Sequence, residues 1–322
     1  MPQEGRAPIL RHCWYTPPAN RDPELARILS WADVLPTATT DSFANSEGAR
    51  RSASEVDQTA RACHRQGGHP GEVSDRAPTH ADRRRAGAFG EAADRYDRYR
   101  PRYPQSLVAA LVARHGARVL DVGAGTGIAS AQLMEAGAEV LAVEPDPRMA
   151  ALAAGKGVRV EQATFEDWQP AGRTFDLVVF AQSFHWMQPE RALTKVASIL
   201  SPGGRLALLS NRVTPVSPAR QDLDEAYAGH LDESQRQPID AVHDDGLTAI
   251  IEGSGFTVDR RSTVERVHYD TDDWVNMSFT YSNVLTLELD ARAELRSQLE
   301  KRIGAAGVDA RKDSVVVICT PV

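Results

Sequence analysis

Cysteine, lysine and aromatic residues are scarce in this chain of 322 residues. Its three cysteines, Cys13, Cys63 and Cys319, lie too far apart for a disulfide framework or a CxxC metal pair, which favours a reducing compartment. No apolar run approaches the roughly 20 residues that span a bilayer. The N-terminus also lacks the basic, apolar and small-residue order of a signal peptide. We therefore expect a cytoplasmic protein without a membrane partner.

A basic surface is also missing. The formal net charge is -7, and no stripe of aromatic and basic side chains is visible, so we expect no nucleic-acid partner. The nine histidines are scattered, and none pairs with a cysteine or carboxylate at ligand spacing. We expect no metal site.

Residues 1–85 differ in composition from the rest of the chain. They are rich in proline, glycine, serine, threonine and charge, and only residues 24–35 have helical apolar spacing. Ordering such a segment costs about 1–2 kcal/mol per residue in backbone entropy, with little apolar surface to offset it. We predict a disordered, dispensable leader, with a peptide-docking helix at 24–35 as the alternative. We also hypothesise a natural start downstream, near Val73.

Strands and helices alternate from residue 86 to Asn211, and the strands are continuously apolar, as in a parallel sheet covered on both faces. The fold class is therefore α/β, a doubly wound and mostly parallel seven-stranded sheet. The predicted strands cover 118–123, 139–145, 158–163, 175–182, 205–211, 257–267 and 313–322. The predicted helices cover 104–116, 127–137, 149–157, 190–204, 218–233, 244–253, 271–284 and 290–304.

A glycine loop follows the first strand, in "VLDVGAGTG". Ligands of such sheets bind outside the carboxyl ends of the strands, and Gly123, Gly125 and Gly127 let the backbone turn sharply and approach a ligand. Glu144, at the end of the second strand, can accept hydrogen bonds from a ribose diol. This outline is shared with dinucleotide-binding proteins.

Two features distinguish the loop from the dinucleotide fingerprint G-x-G-x-x-G. Residue 128 is isoleucine, so the third glycine is displaced. Asp121, directly before the loop, would repel a pyrophosphate but would attract an α-ammonium group. An amino-acid headgroup together with a ribose indicates S-adenosylmethionine as the cofactor.

Four motifs resemble those of class I S-adenosylmethionine-dependent methyltransferases: "VLDVGAGTG", "VLAVEPDPRM", "FDLVVFAQSFHWM" and "ILSPGGRLALLSN". The "AQSFHW" and "SPGG" forms are similar to the subgroup that includes trans-aconitate methyltransferase, whose members act on small molecules. The similarity runs from about residue 89 to 212 and continues more loosely to the C-terminus. It implies the class I methyltransferase fold.

The resemblance also implies a role for each matching residue. The glycine loop, which includes Ala124, and Asp121 would take the methionine moiety, and Glu144 the ribose. Pro145 and Asp146 would shape the adenine slot. The acid that many members place after the third strand is replaced here by Thr164, with Phe165 beside it and Glu166 as an alternative adenine contact. The residues that would face the sulfonium and the acceptor are Gln182 and Ser183.

His185 is the histidine nearest to the expected chemistry. It could act as a general base for a hydroxyl or amine acceptor. The alternative is that it caps the following helix while Trp186 packs beneath it. A carboxylate acceptor would need no base, and Arg100 or Arg212 would then anchor it.

Two further segments are candidate contacts. In the family, the segment before the first strand, here residues 89–104, folds over the cofactor as a lid, which implies Tyr96, Tyr99 and Arg100 as contacts; a charged surface helix is the alternative. In similar proteins the segment 270–285 roofs the acceptor pocket. This implies substrate contacts, although core packing also explains its aromatic residues: Trp274, Ser278 and Tyr281.

We thus predict one methyltransferase domain over 86–322, with a cofactor-binding core at 117–212 and an acceptor-side part at 213–322. The expected reaction is in-line methyl transfer to oxygen or nitrogen of a small molecule, by a monomer or homodimer. The alternatives are a nicotinamide-dependent oxidoreductase on a related fold and a non-catalytic S-adenosylmethionine-binding domain.

Overall fold

The computed structural model describes residues 88–232 and 245–322. All of them belong to the second of two units into which the chain divides, Val73–Val322. The leader predicted at residues 1–85 lies outside the described residues. The helix predicted at 218–233 is shorter than expected and covers Arg220–Ala228.

The described residues form a seven-stranded sheet in the order β3-β2-β1-β4-β5-β7-β6. The first five strands pair in parallel, and β7 runs antiparallel to both β5 and β6. The predicted mostly parallel α/β sheet is confirmed, and it is mixed at the β5-β7-β6 edge. The strands are β1 Arg118–Val122, β2 Glu139–Val143, β3 Arg159–Glu161, β4 Phe175–Ala181, β5 Leu200–Ser217, β6 Phe256–Tyr269 and β7 Val308–Pro321.

Helices cover both faces of the sheet and build a cap beyond its carboxyl edge. Short 3-10 turns lie at Ala88–Ala92, Phe184–Trp186 and Gly304–Ala306. Within the described ranges the α-helices are α1 Ala93–Tyr99, α2 Gln105–Leu111, α3 Ile128–Glu135, α4 Pro147–Gly155, α5 Pro189–Ile199, α6 Arg220–Ala228, α7 Asp245–Gly253, α8 Thr271–Ser278, α9 Ser282–Leu285 and α10 Leu289–Ile303.

The two-residue period of a strand divides the core into two layers. On β1, Leu120 and Val122 join the layer that includes residues of α5 and α7. Val119 faces the opposite layer, with residues of α2 and α3. Asp121 follows the same alternation and reaches α3, where Ser130 meets it.

A third cluster of buried side chains joins α6, α8 and α10 to the beginning of β7, at Val308 and Ala310. It forms the cap over one side of the site. No helix in residues 88–232 and 245–322 is long and apolar enough to cross a membrane.

Several predicted element bounds were wrong. The helix predicted at 190–204 ends at Ile199, and the strand predicted at 313–322 begins at Val308. Three further differences have a visible physical cause. The helix predicted at 104–116 ends at Leu111, and the chain beyond it is held by tertiary contacts such as Arg114 to Asp176 at 2.7 Å. The strand predicted at 205–211 extends over Leu200–Ser217, because Leu200 pairs with Phe175 of β4 and the residues beyond Asn211 pair with β7.

The third concerns the helix predicted at 271–284, which is two helices separated by Phe279–Tyr281. The Thr280 hydroxyl bonds back to the carbonyl of Met277, and the Thr280 carbonyl accepts a hydrogen bond from Arg100 Nη2 at 3.0 Å. The hydroxyl and the carbonyl of Thr280 therefore form hydrogen bonds that a continuous α-helix does not provide, and the helix is interrupted here.

Candidate functional site

A cavity of about 380 Å³ opens at the carboxyl ends of β1, β2, β4 and β5. Its lining comes from the glycine loop, the lid segment, the turn after β4 and the cap. Eighteen of the residues proposed from the sequence line it, namely Tyr96, Arg100, Gly123, Ala124, Gly125, Glu144, Pro145, Asp146, Thr164, Phe165, Glu166, Gln182, Ser183, His185, Arg212, Trp274, Ser278 and Tyr281. Asp121, Gly127 and Tyr99 are not among the lining residues.

The glycine loop needs its glycines for two physical reasons. Gly123 and Gly127 have φ angles of +63° and +78°, in the left-handed region. A Cβ atom on Gly123 would lie 2.7 Å from Cβ of Ser183, and one on Gly127 would lie 2.9 Å from Cβ of Ala153. Because Gly127 has no side chain, the loop can approach α4 closely. At Gly125, by contrast, an added Cβ atom would meet no atom within 4 Å.

Asp121 is completely buried, one layer beneath the lining of the cavity. Its Oδ2 accepts a hydrogen bond from Ser130 Oγ at 2.6 Å, while its Oδ1 has no hydrogen-bond partner. Burial raises the pKa of this carboxyl to about 6, against the lowering effect of the Ser130 bonds. The site therefore contains a desolvated carboxylate oxygen that lacks a cationic partner.

Glu144 lies at the end of β2 with 7% of its surface exposed. Its Oε2 accepts from the backbone N–H of Gly125 at 2.8 Å, and its Oε1 accepts from that of Asp146 at 2.9 Å. Burial raises the pKa of Glu144, and the two backbone bonds oppose the rise. Since a carboxylate offers about four acceptor positions, two remain for a diol.

The segment after β3 forms a hydrogen-bonded turn beside Glu144. The Thr164 hydroxyl bonds to Asp167 Oδ2 at 2.8 Å, and the buried ring of Phe165 stacks with Trp168 at 6.4 Å. Pro145, Asp146 and Glu166 also line this side of the cavity. Asp146 is in addition the N-cap of α4.

The turn after β4 brings Gln182 and Ser183 to the glycine loop. Gln182 has a φ of +59°, which is uncommon for a residue with a side chain and typical of strained functional sites. Its Nε2 donates to the carbonyl of Asn211 at 2.7 Å, and the Ser183 hydroxyl donates to the carbonyl of Val122. These hydrogen bonds, which connect the turn after β4 to β1 and β5, stabilise the strained backbone of Gln182.

His185 lies in the following 3-10 turn, with its ring 4.8 Å from that of Trp186. Trp186 itself meets Phe89 of the lid segment edge to face at 5.9 Å. His185 lines the cavity, so its position is compatible with the proposed base and also with packing on Trp186.

The lid segment crosses the cavity at α1. Arg100 lies between two aromatic rings, with its guanidinium carbon 4.9 Å from the Tyr96 centroid and 4.0 Å from that of Tyr281. Arg100 therefore joins the lid to the junction of α8 and α9. Tyr99 is directed elsewhere and packs against the cap cluster.

The cap side of the cavity is aromatic and has hydrogen-bonding groups. Trp274 is buried, and its Nε1 has no hydrogen-bond acceptor. Ser278 is buried and hydrogen-bonds with Tyr227, which also lines the cavity. Arg212 and Tyr281 complete this side.

The sequence interpretation missed four residues around the cofactor side: Asp97, Thr126, Lys156 and Lys195. Lys195 on α5 donates to the carbonyls of Phe165, Glu166 and Trp168 and thereby holds the turn after β3. The chain has only four lysines among 37 basic residues. Because lysine is so rare in this chain, its presence at a position was a signal that could have identified two of the four missed residues, Lys156 and Lys195.

Within the described residues, no group of three or more His, Cys, Asp or Glu side chains is arranged to hold a metal ion. The polar groups of the cavity are instead suited to an organic ligand. The positive-φ glycine loop, the buried oxygen of Asp121 and the two-acceptor face of Glu144 fit a ribose and an amino-acid headgroup.

Comparison with known proteins agrees with this geometry. The family model described as a methyltransferase domain matches residues 96–260, just over half of the chain. An uncharacterized methyltransferase of Mycobacterium tuberculosis is 40% identical over 126 residues, which are 38% of this chain and 52% of that protein. A ubiquinone biosynthesis O-methyltransferase of Xanthomonas axonopodis pv. citri is 33% identical over 133 residues, 38% of this chain and 55% of that protein.

The chain thus spans about half the length of these two curated relatives. A solved S-adenosylmethionine-dependent methyltransferase from Thiobacillus denitrificans, in complex with S-adenosyl-L-homocysteine, is 19% identical with a TM-score of 0.43; the match covers 71% of this chain and 96% of that chain. By the match of its sequence to the family model, this chain belongs to the methyltransferase-domain family of class I S-adenosylmethionine-dependent methyltransferases.

Proposed function

We propose that this chain binds S-adenosylmethionine and transfers its methyl group to an oxygen or nitrogen atom of a small-molecule acceptor. The observation that carries the proposal is Asp121, a fully buried carboxylate with one unpartnered oxygen beside a glycine loop. A buried charge without a partner is costly, so a site that contains one favours a ligand of opposite charge. The α-ammonium group of S-adenosylmethionine has that charge.

The neighbouring residues account for the remainder of the cofactor. Glu144 has free acceptor positions for the ribose hydroxyls, and Pro145 and Asp146 border the adenine slot. Thr164 and Phe165 would contact the adenine from the turn after β3. Lys195 would act indirectly, by holding that turn.

The acceptor would lie on the cap side, against Trp274, Ser278 and Tyr281. S-adenosylmethionine supplies a methyl group that its sulfonium has already activated. Orientation of the acceptor is then the main demand on the protein, and orientation alone contributes about 7–11 kcal/mol in favourable cases. Gln182 and Ser183, held rigidly after β4, would border the transfer path, and the lid would exclude water.

His185 separates two kinds of acceptor. A hydroxyl acceptor needs a base, and His185 lines the cavity where one would act. A carboxylate acceptor needs none, and Arg100 or Arg212 would anchor it. The name of the Xanthomonas relative supports transfer to oxygen. Full activity of His185→Ala on the identified acceptor would exclude the base.

We also propose that residues 86–322 form one methyltransferase domain, with the cofactor core at 117–212 and the acceptor side at 213–322. The family match over 96–260 crosses both parts, which supports a single domain. Removal of residues 1–80 should then leave thermal stability and cofactor affinity unchanged.

Titration calorimetry tests the cofactor directly. We expect binding of S-adenosylhomocysteine and no binding of NAD, and the reverse result would favour an oxidoreductase. Transfer of a labelled methyl group to a metabolite extract would then identify the acceptor and exclude a purely regulatory binding domain. Absence of transfer to any extract would favour that domain.

A further inference from the structure

Three side chains from separate elements meet between the lid and the glycine loop. Asp97 of α1 accepts a hydrogen bond from the Thr126 hydroxyl at 2.8 Å and pairs with Nζ of Lys156, which directly follows α4. The same Nζ donates to the backbone carbonyl of Thr126. We call these three residues the latch.

Thr126 lies within the part of the loop that approaches the cofactor site. It is fully buried between Gly125 and Gly127, and its hydroxyl and carbonyl are both bonded within the latch. The preceding amide, that of Gly125, donates to Glu144. The latch therefore connects the lid to the same backbone that orients the ribose-binding carboxylate.

Asp97 lies on α1 between residues that line the cavity. Its neighbour Tyr96 lines the cavity, and so does Arg100, one helical turn further on. Asp97 and Lys156 each keep about three-quarters of their side-chain surface buried, so their ion pair is less screened than a surface pair. Arg102 lies 3.8 Å from Asp97 but is half exposed, and it contributes less.

We propose that Asp97, Thr126 and Lys156 are positioning residues that hold the lid over the bound cofactor and set the rate at which the cofactor dissociates. The inference rests on the proposed function for the identity of the ligand. The three residues act through Tyr96, Arg100 and the glycine loop. Loss of the latch frees α1 to rotate and opens the exit path.

The test uses the full chain and S-adenosylhomocysteine as the probe. Asp97→Asn removes the charge that binds Lys156, and Thr126→Val removes the hydroxyl with little change of shape. Each should raise the dissociation rate in stopped-flow measurements about tenfold, the size expected for a charge-assisted hydrogen bond. Hydrogen exchange of the amides of α1 should accelerate in the same variants.

Two matched controls should behave as wild type. Asp94→Asn makes the same chemical change at an exposed position of the same helix. Thr126→Ser keeps the hydroxyl and should restore slow dissociation. An effect of altered packing would also appear in Thr126→Ser, which lacks the methyl group, so this pair separates loss of the hydroxyl from a change of packing.

Wild-type dissociation in both Asp97→Asn and Thr126→Val would overturn the inference. If Thr126→Val fails to fold, Asp97→Asn and Lys156→Met decide the question. If the wild-type protein does not bind S-adenosylhomocysteine, the proposed function fails. The latch is then tested by hydrogen exchange in the ligand-free protein. The amides of α1 should exchange faster in Asp97→Asn than in Asp94→Asn, and equal exchange rates would refute the latch.

Discussion

Replacement of Asp121 by asparagine should stabilise the ligand-free protein and weaken the binding of cofactor. Burial raises the pKa of Asp121 from 3.8 to about 6. A rise of about two units corresponds to about 3 kcal/mol, taken as an upper bound because the protein can relax. The carboxylate therefore destabilises the ligand-free fold above pH 6, whereas the uncharged amide introduced by Asp121→Asn should not.

The sign of the pH dependence follows from the direction of the shift. Between pH 3.8 and about 6 the folded protein retains a proton that the unfolded chain has released. Asp121 therefore contributes a loss of stability as the pH rises through this window, and the loss is complete above it. The stability advantage of Asp121→Asn should be small near pH 4 and largest at pH 7 and above.

Cofactor binding should change in the opposite direction. Loss of a charge-assisted contact with the ammonium group costs about 1.5–3 kcal/mol, which is roughly a tenfold to hundredfold loss of affinity. In the wild-type protein the affinity should fall as the pH drops below about 6, because protonation of Asp121 removes its charge. In Asp121→Asn this component should be absent.

Urea denaturation at pH 5 and pH 8 and calorimetry with S-adenosylhomocysteine measure the two effects. Asp259→Asn is a suitable control, because that carboxylate also lies on a strand but is exposed in a surface ion pair. The reasoning would be refuted if Asp121→Asn were less stable than the wild-type protein at pH 8. It would also be refuted if this variant bound S-adenosylhomocysteine as tightly as the wild-type protein does.

Three further predictions concern the site. Glu144→Gln should weaken S-adenosylhomocysteine binding about tenfold in calorimetry, whereas Glu139→Gln, at the exposed start of the same strand, should not; equal affinities would contradict the ribose contact. Lys195→Met should raise the KM for the cofactor more than it lowers kcat, since Lys195 holds the turn after β3, and a change in kcat alone would contradict this. Gly123→Ala should lower Tm more than Gly157→Ala, because both positions have positive φ but only Gly123 also meets Ser183; equal Tm losses would show that the 2.7 Å contact relaxes freely.

The sequence by itself determined the parallel part of the sheet and the location of the loop. Apart from Arg118, Asp121 and Asp176, the residues of β1 and β4 are apolar, and a glycine or polar residue follows each strand, so local pattern alone predicts them. The glycines of the loop are recognisable because only glycine readily adopts the backbone angles required there. Glu144 follows from its place at the end of a strand in such a fold.

Only the tertiary structure decided the length of the β5 and β7 strands and the break in the helix at Thr280. A strand extends where a partner pairs with it, and the Thr280 carbonyl is taken by Arg100, 180 residues away along the chain. The latch has the same origin, since Asp97 is separated from Thr126 by 29 residues and from Lys156 by 59. Contacts of this kind leave no periodic pattern in the sequence, because each depends on the packing of elements that local propensity does not specify.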